Sequence, residues 1–198
     1  MIKKTPFYSK HIEAGANMVD FFGFSLPIYY EGINIEHKHV RDSVGVFDVS
    51  HMGQLILEGK KVFSFLQNVT TNDVSKIKIG SVQYSCITNE QGMVLDDLLV
   101  YKLSEKKYML VVNASNTLKI FNWLNSNNTF SIDIKDITMA RGLLAVQGPK
   151  AIDLLQNLTD FDLSSMNSYS FKVLKLGGLD NILISTTGYT GSGGFEIY

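Results

Sequence analysis

A single cysteine, Cys86, leaves no partner for an intramolecular disulfide and no basis for a multi-cysteine metal site. A lone thiol fits a reducing compartment, and its apolar setting reads as a buried strand residue rather than a nucleophile. Only three prolines occur, Pro6, Pro27 and Pro149, so no proline-rich linker divides the chain. The nearest approach to a low-complexity tract is the polar turn Asn125-Ser126-Asn127-Asn128. Arginine is scarcer still, with Arg41 and Arg141 alone among 18 basic residues set against 19 acidic ones. A net charge of −1 gives no overall field to draw in nucleic acid or an anionic membrane, and so few arginines do not suit a phosphate-gripping surface. No apolar run approaches the roughly 20 residues that span a bilayer. The opening Met1-Ile2-Lys3-Lys4-Thr5-Pro6 has no apolar stretch behind its lysines, so neither a signal peptide nor an Arg-rich transit peptide is expected. What is present is 198 residues, 45% of them hydrophobic, enough for one large domain or two small ones. The expectation is a soluble intracellular protein without nucleic-acid or membrane partners.

The middle of the chain has the clearest pattern. Gln54 to Glu58 is a short strand between Gly53 and Gly59, and Lys61 to Val69 carries Val62, Phe65, Leu66 and Val69 at helical spacing. Val82 to Thr88 and Val94 to Lys102 read as strands joined by the turn Asn89-Glu90-Gln91-Gly92. Tyr108 to Asn113 is a further strand, and Ser115 to Leu124 a helix expected to turn Leu118, Phe121 and Leu124 inward. Phe130 to Ile134 is predicted as a strand again. The N-terminal Met18 to Leu26 is apolar and aromatic, and Gly32 to Val44 looks helical. Hairpins interleaved with helices predict an α+β architecture of antiparallel sheets covered by helices. There is also an internal echo. Leu55-Ile56-Leu57-Glu58-Gly59-Lys60-Lys61, ending in Leu66-Gln67-Asn68, returns 89 positions later as Leu144-Ala145-Val146-Gln147-Gly148-Pro149-Lys150, ending in Leu155-Gln156-Asn157. Two related half-domains are expected, meeting near Ile137 to Arg141.

Few residues suggest chemistry. Asp96 and Asp97 sit side by side in an apolar strand, so their side chains leave on opposite faces. The pair reads either as a wet edge strand, or as one carboxylate buried with partners and one free to hold an amine or its proton. Gly188-Tyr189-Thr190-Gly191-Ser192-Gly193-Gly194 would let backbone approach a ligand closely, or simply form a hairpin turn; it has neither P-loop nor dinucleotide-binding spacing. His11, His37, His39 and His51 lack ligand spacing, and no metal is expected. Ser50-His51 carries no nucleophile elbow. Tyr84, Tyr169 and Tyr189 could line a pocket for a flat heterocycle, or be ordinary core.

Taken together, these segments resemble the aminomethyltransferases, the T-proteins of the glycine cleavage system. The likeness is densest at Val40-Arg41-Asp42-Ser43-Val44-Gly45-Val46-Phe47-Asp48-Val49-Ser50-His51-Met52-Gly53. It returns at Thr71 to Val74, Gly92 to Tyr101, Val111 to Ala114, Val146 to Pro149 and Thr187 to Glu196, in family order over the whole chain. The resemblance implies tetrahydrofolate as acceptor and an aminomethyl group on the dihydrolipoyl arm of the H-protein as donor, with 5,10-methylenetetrahydrofolate and ammonia as products. It implies that Asp97 is the catalytic aspartate near the folate nitrogens, and that Tyr84, Asn113, Tyr169, Tyr189 and Glu196 line the folate cavity, Glu196 at the polar edge of the pterin. The implied fold is two related α+β folate-binding lobes, 1–52 with 138–198 and 53–137, followed in the family by a C-terminal β-barrel absent here. The chain is thus expected to be an N-terminal fragment, inactive alone, of a protein that is monomeric when complete. Its implied setting is the bacterial cytoplasm, or the mitochondrial matrix in a eukaryote. Two departures adjoin the site: Gly92-Met93 where the family has Gly-Gly, and Ser192 where it has an acidic residue. The same fold also serves as the folate-binding half of dimethylglycine and sarcosine oxidoreductases, and in non-catalytic folate-binding relatives. The lack of a flavin domain and the retained Asp97 favour the transferase.

Overall fold

The aromatic N-terminal stretch folds as a small three-stranded sheet. Its strands are β1 (Lys3–Lys4), β2 (Asn17–Phe21) and β3 (Phe24–Tyr29), with α1 (Tyr8–Glu13) between the first two. The computed structural model describes residues 2–198. β2 and β3 make a hairpin whose turn residues Phe22 and Gly23 take φ of 50° and 80°, the tight-turn backbone that matches strand twist. α2 (Ile33–Asp42) and β4 (Gly45–Asp48) follow.

Asp48 ties this region together. Its carboxylate accepts hydrogen bonds from Thr5 Oγ1 at 2.5 Å, His11 Nε2 at 2.9 Å and the Ser50 amide at 3.0 Å. The second ring nitrogen of His11 bonds the Tyr30 hydroxyl at 2.7 Å. Burial pushes the Asp48 pKa up, but the hydrogen bonds from His11, Ser50 and Thr5 outweigh it, and the carboxyl titrates below its ordinary value. A carboxyl whose pKa is depressed on folding stabilises the fold at all pH above its unfolded value, near 4, and that stability is lost as pH falls through the folded value. Asp48→Asn should therefore cost about 2 kcal/mol at pH 7 and flatten the part of the acid dependence below about pH 4. Urea unfolding of both proteins between neutral and acid pH measures this; parallel pH curves would show that Asp48 is not the group responsible.

The middle of the chain carries β5 (Gly53–Glu58), α3 (Val62–Val69), β6 (Val82–Thr88), β7 (Val94–Ser104), β8 (Lys107–Val112), α4 (Thr117–Ser126) and β9 (Asp133–Asp136). The strands form one antiparallel sheet in the order β6-β7-β8-β5-β9. Strand alternation sends Leu55, Leu57, Leu98, Val100, Leu110 and Val112 to one face. There they pack with Phe65 and Leu66 of α3 and Ile120 and Leu124 of α4 in a fully buried core. Each such side chain contributes about 1.5–3 kcal/mol of burial.

Two expectations fail here. Leu118 points outward and is 71% exposed, while Ile120 takes the core position. A 3-10 turn over Ala114–Asn116 precedes α4, so the helix starts at Thr117 and its inward pair is Ile120 and Leu124, one turn apart. Residues 130–132 are not strand. Asn128 holds them as a loop, accepting from the Ile132 amide at 3.1 Å and donating to the Ile132 carbonyl at 2.8 Å. Phe130 packs edge-on to Phe65 with ring centres 5.9 Å apart, so its apolar character reflects loop packing.

The remainder supplies β10 (Leu144–Gln147), α5 (Ala151–Gln156), β11 (Phe171–Leu176), β12 (Leu179–Ser185) and β13 (Gly194–Ile197). These strands and β4 form an antiparallel sheet ordered β11-β12-β13-β10-β4, in which β11-β12-β13-β10 repeats the β6-β7-β8-β5 of the middle sheet while β4, from earlier in the chain, takes the edge place that β9 holds there. The repeated Leu-Gln-Asn has a physical reason. Gln67 Oε1 accepts the amide of Val74 at 2.9 Å, and Gln156 Oε1 accepts that of Leu163 at 3.0 Å. Each starts a 3-10 turn, over Val74–Lys76 and Leu163–Ser165, in which the next amides, of Ser75 and Ser164, are capped by Asp73 and Asp162. The chain thus has an α+β fold with two related antiparallel sheets flanked by helices. It divides into two compact units, Met1–His51 with Arg141–Tyr198, and Met52–Ala140. Among the described residues no helix is long and apolar enough to cross a membrane.

Candidate active site

In the unit Met52–Ala140, the β6–β7 hairpin fixes the two aspartates. Cys86, half-buried in β6, lies opposite Asp97 and Ile87 opposite Asp96. Asp96 is buried and Asp97 exposed. The buried carboxylate is fully engaged: it accepts from the Asn113 amide at 3.1 Å, Asn113 Nδ2 at 2.9 Å and Asn116 Nδ2 at 2.7 Å. That is the pairing a carboxylate on the inner face requires. Asp97 accepts from the Tyr84 hydroxyl at 3.0 Å and from Asn113 Nδ2 at 2.9 Å. Tyr84 is opposite Leu99, so it and Asp97 are diagonal neighbours on one face of the hairpin. Asn113 follows β8 directly and bridges the two acids, one hydrogen on each. The result is an exposed carboxylate of fixed orientation, an arrangement suited to holding or taking a proton from an amine. Three of the six expected site residues, Tyr84, Asp97 and Asn113, thus meet. Asn116 could not be anticipated; its only signal is a position three residues after Asn113.

The other unit holds Glu196, Tyr169 and Tyr189. Glu196 lies in β13, buried, and its Oε2 accepts from the Thr187 hydroxyl and from Tyr198 Oη, the latter at 3.3 Å. Because Thr187 donates to Glu196, the 2.7 Å contact between Ser185 Oγ and Thr187 Oγ1 runs from serine to threonine. Tyr189 stands on the loop between β12 and β13 and is 89% exposed. Two of the loop's glycines are required by close approach. A Cβ on Gly188, at φ 137°, would lie 2.3 Å from Gln147 Oε1, and one on Gly194, at φ 136°, 2.2 Å from the Val146 carbonyl. Gln147 Nε2 donates to the Thr187 and Phe195 carbonyls at 3.2 and 3.1 Å, and its Oε1 accepts from Thr190 Oγ1 at 2.9 Å. Arg41 of α2 fastens the loop from outside, its Nη1 donating to the Thr190 carbonyl at 2.8 Å and to Ser192 Oγ at 2.7 Å. This latch was not legible in the sequence, where the partners lie 151 positions apart.

Tyr169 has a left-handed backbone, φ 56°. At the corresponding place in the other repeat, 89 positions earlier, stands Gly80 with φ 83°. A tyrosine in that conformation costs about 1–2 kcal/mol. The histidines do not assemble: among the described residues no group of three or more His, Cys, Asp or Glu could hold a metal ion. The His51 pKa is lowered by burial, with Asp48 pulling the other way, and the ring packs edge-on to Phe21. It serves as an aromatic packing group.

The sequence of residues 7–198 matches the family model described as the GCVT N-terminal domain. The chain belongs to this family. Curated proteins named aminomethyltransferase align along its whole length, that of Flavobacterium psychrophilum at 49% identity and that of Bacteroides thetaiotaomicron at 50%. The chain spans about 55% of either relative. Among solved structures, the glycine cleavage system aminomethyltransferase T of Bartonella henselae superposes with a TM-score of 0.90 at 34% identity, over 100% of this chain and 53% of that one. A heterotetrameric sarcosine oxidase from Corynebacterium sp. U-96 shares the fold at 15% identity and a TM-score of 0.57, over 83% of this chain and 80% of that one. GCVT membership accounts for the α+β architecture and for the whole-chain likeness noted in the sequence.

Proposed function

We propose that the complete gene product is a tetrahydrofolate-dependent aminomethyltransferase of glycine cleavage. The observation that carries the reading is the Asp97 carboxylate, exposed yet held by Tyr84 and Asn113, in a chain about half identical throughout to proteins of that name. The donor is an aminomethyl thioether on the lipoyl arm of the H-protein. A folate nitrogen attacks the methylene carbon, the sulfur leaves as the lipoyl thiol, and closure onto the second folate nitrogen expels ammonia and gives 5,10-methylenetetrahydrofolate. Asp97 orients the attacking amine and takes its proton; Tyr84 and Asn113 keep the carboxylate aimed. On the same reading Glu196 accepts N–H bonds from the polar edge of the pterin, and Tyr169 and Tyr189 offer ring faces. The two units are then the two folate-binding lobes, and no metal is involved. A monomer in the cytoplasm goes with this reading.

The sarcosine oxidase likeness supports a common fold and no shared reaction; half-identity to aminomethyltransferases favours the transferase. The test is a coupled assay on the complete gene product with aminomethylated H-protein. Formation of 5,10-methylenetetrahydrofolate that requires both carrier and tetrahydrofolate is the expected result. A protein that binds tetrahydrofolate but forms no product with the charged carrier would overturn the transferase reading.

A further inference from the structure

We propose that Arg41 is a positioning residue for Tyr189 and sets the affinity for folate without taking part in the chemistry; this rests on the reading of Tyr189 as a folate contact. Arg41 lies near the C-terminal end of α2, and its guanidinium is committed to the glycine-rich loop through the Thr190 carbonyl at 2.8 Å and Ser192 Oγ at 2.7 Å. Those two residues flank Gly191, and Thr190 directly follows Tyr189. The loop is also held from within. Its inner side is anchored by Thr190 Oγ1 to Gln147 and by the Gly148 amide to the Gly193 carbonyl at 2.8 Å. Tyr189 itself, at 89% exposed, has almost no packing. A ring so placed loses rotational and loop freedom when a ligand stacks on it, and that cost falls when the loop is already fixed. Arginine suits the task because both bonds leave one nitrogen, Nη1, whose two N–H groups are fixed in the guanidinium plane, whereas the three donors of a lysine ammonium rotate freely. Ser192 accepts as a neutral hydroxyl, so the latch has no carboxylate and depends on these two hydrogen bonds.

The test is steady-state kinetics and tetrahydrofolate calorimetry on the complete gene product, in a double-mutant cycle of Arg41→Ala and Tyr189→Ala. Arg41→Ala should raise KM and Kd for tetrahydrofolate about tenfold, the loss expected of two charge-assisted hydrogen bonds acting through a loop, with kcat within about twofold. Tyr189→Ala should also raise KM, and adding Arg41→Ala to it should change KM no further, because the ring it positions is gone. A residue that merely supports the fold would lower Tm and act additively in the cycle. Ser192→Ala removes one acceptor without touching α2, so it keeps the test available if Arg41→Ala does not fold; a smaller rise in KM, again absent in the Tyr189→Ala background, is expected. Additive losses, or an unchanged KM in Arg41→Ala or in Ser192→Ala, would overturn the inference. If Tyr189→Ala alone leaves folate affinity unchanged while the wild type binds and turns over, the folate role of Tyr189 fails and the inference falls with it. If the wild type does not bind tetrahydrofolate, the functional reading itself has failed.

Discussion

Asp97→Asn should lower turnover in the H-protein-coupled assay by about a hundredfold or more, the range typical of a lost general base, with tetrahydrofolate affinity changed much less. The local structure gives reason to expect a clean result. The asparagine keeps one oxygen to accept from Asn113 Nδ2, and its new amide group can donate to Tyr84, whose hydroxyl has only to reverse its role. Shape and exposure stay as they are, and what disappears is the charge and its affinity for a proton. A loss confined to KM would place Asp97 among groups that bind folate equally before and during reaction. Turnover within a fewfold of the wild type would remove Asp97 from the chemistry.

Asp96→Ala should act on stability first, by about 3 kcal/mol, since it strands half-buried donors on Asn113 and Asn116 that now share one buried carboxylate. For a chain of this length that corresponds to a melting temperature lower by about 10 °C. Turnover should fall less than in Asp97→Asn, through loosening of Asn113, which steadies the neighbouring acid. Thermal and urea unfolding report the first effect and the coupled assay the second. A stability loss under about 1 kcal/mol would mean that the donors find other partners and that the bridge through Asn113 is dispensable.

The aspartate pair shows what the sequence can reveal. Adjacent carboxylates in an apolar strand have to diverge, one of them inward, and that follows from strand geometry alone. Which of the two is inward depends on the register of β6 and β7, fixed by the Asn89–Gly92 turn. The partners Asn113 and Asn116 come from beyond the next strand, and only the folded sheet brings them to Asp96. The echo between Leu55 and Leu144 is legible because each copy needs the same glutamine to start the same turn. The phase of α4 is not, because Leu118 and Leu124, six residues apart, lie well round the helix from one another, and the core takes Ile120 with Leu124 instead. Phe130 misleads for a related reason: an apolar residue can serve a loop as well as a strand when a side chain such as Asn128 replaces the backbone ladder. The likeness over Val40 to Gly53 identifies the family but does not disclose that Arg41 reaches Thr190 and Ser192.

The central claim is that Asp97, steadied by Tyr84 and Asn113, meets the folate. Amide hydrogen exchange of the complete gene product with and without tetrahydrofolate tests it without reference to turnover. The account predicts added protection in the β6–β7 hairpin and at Asn113. No added protection there at saturating tetrahydrofolate would contradict it.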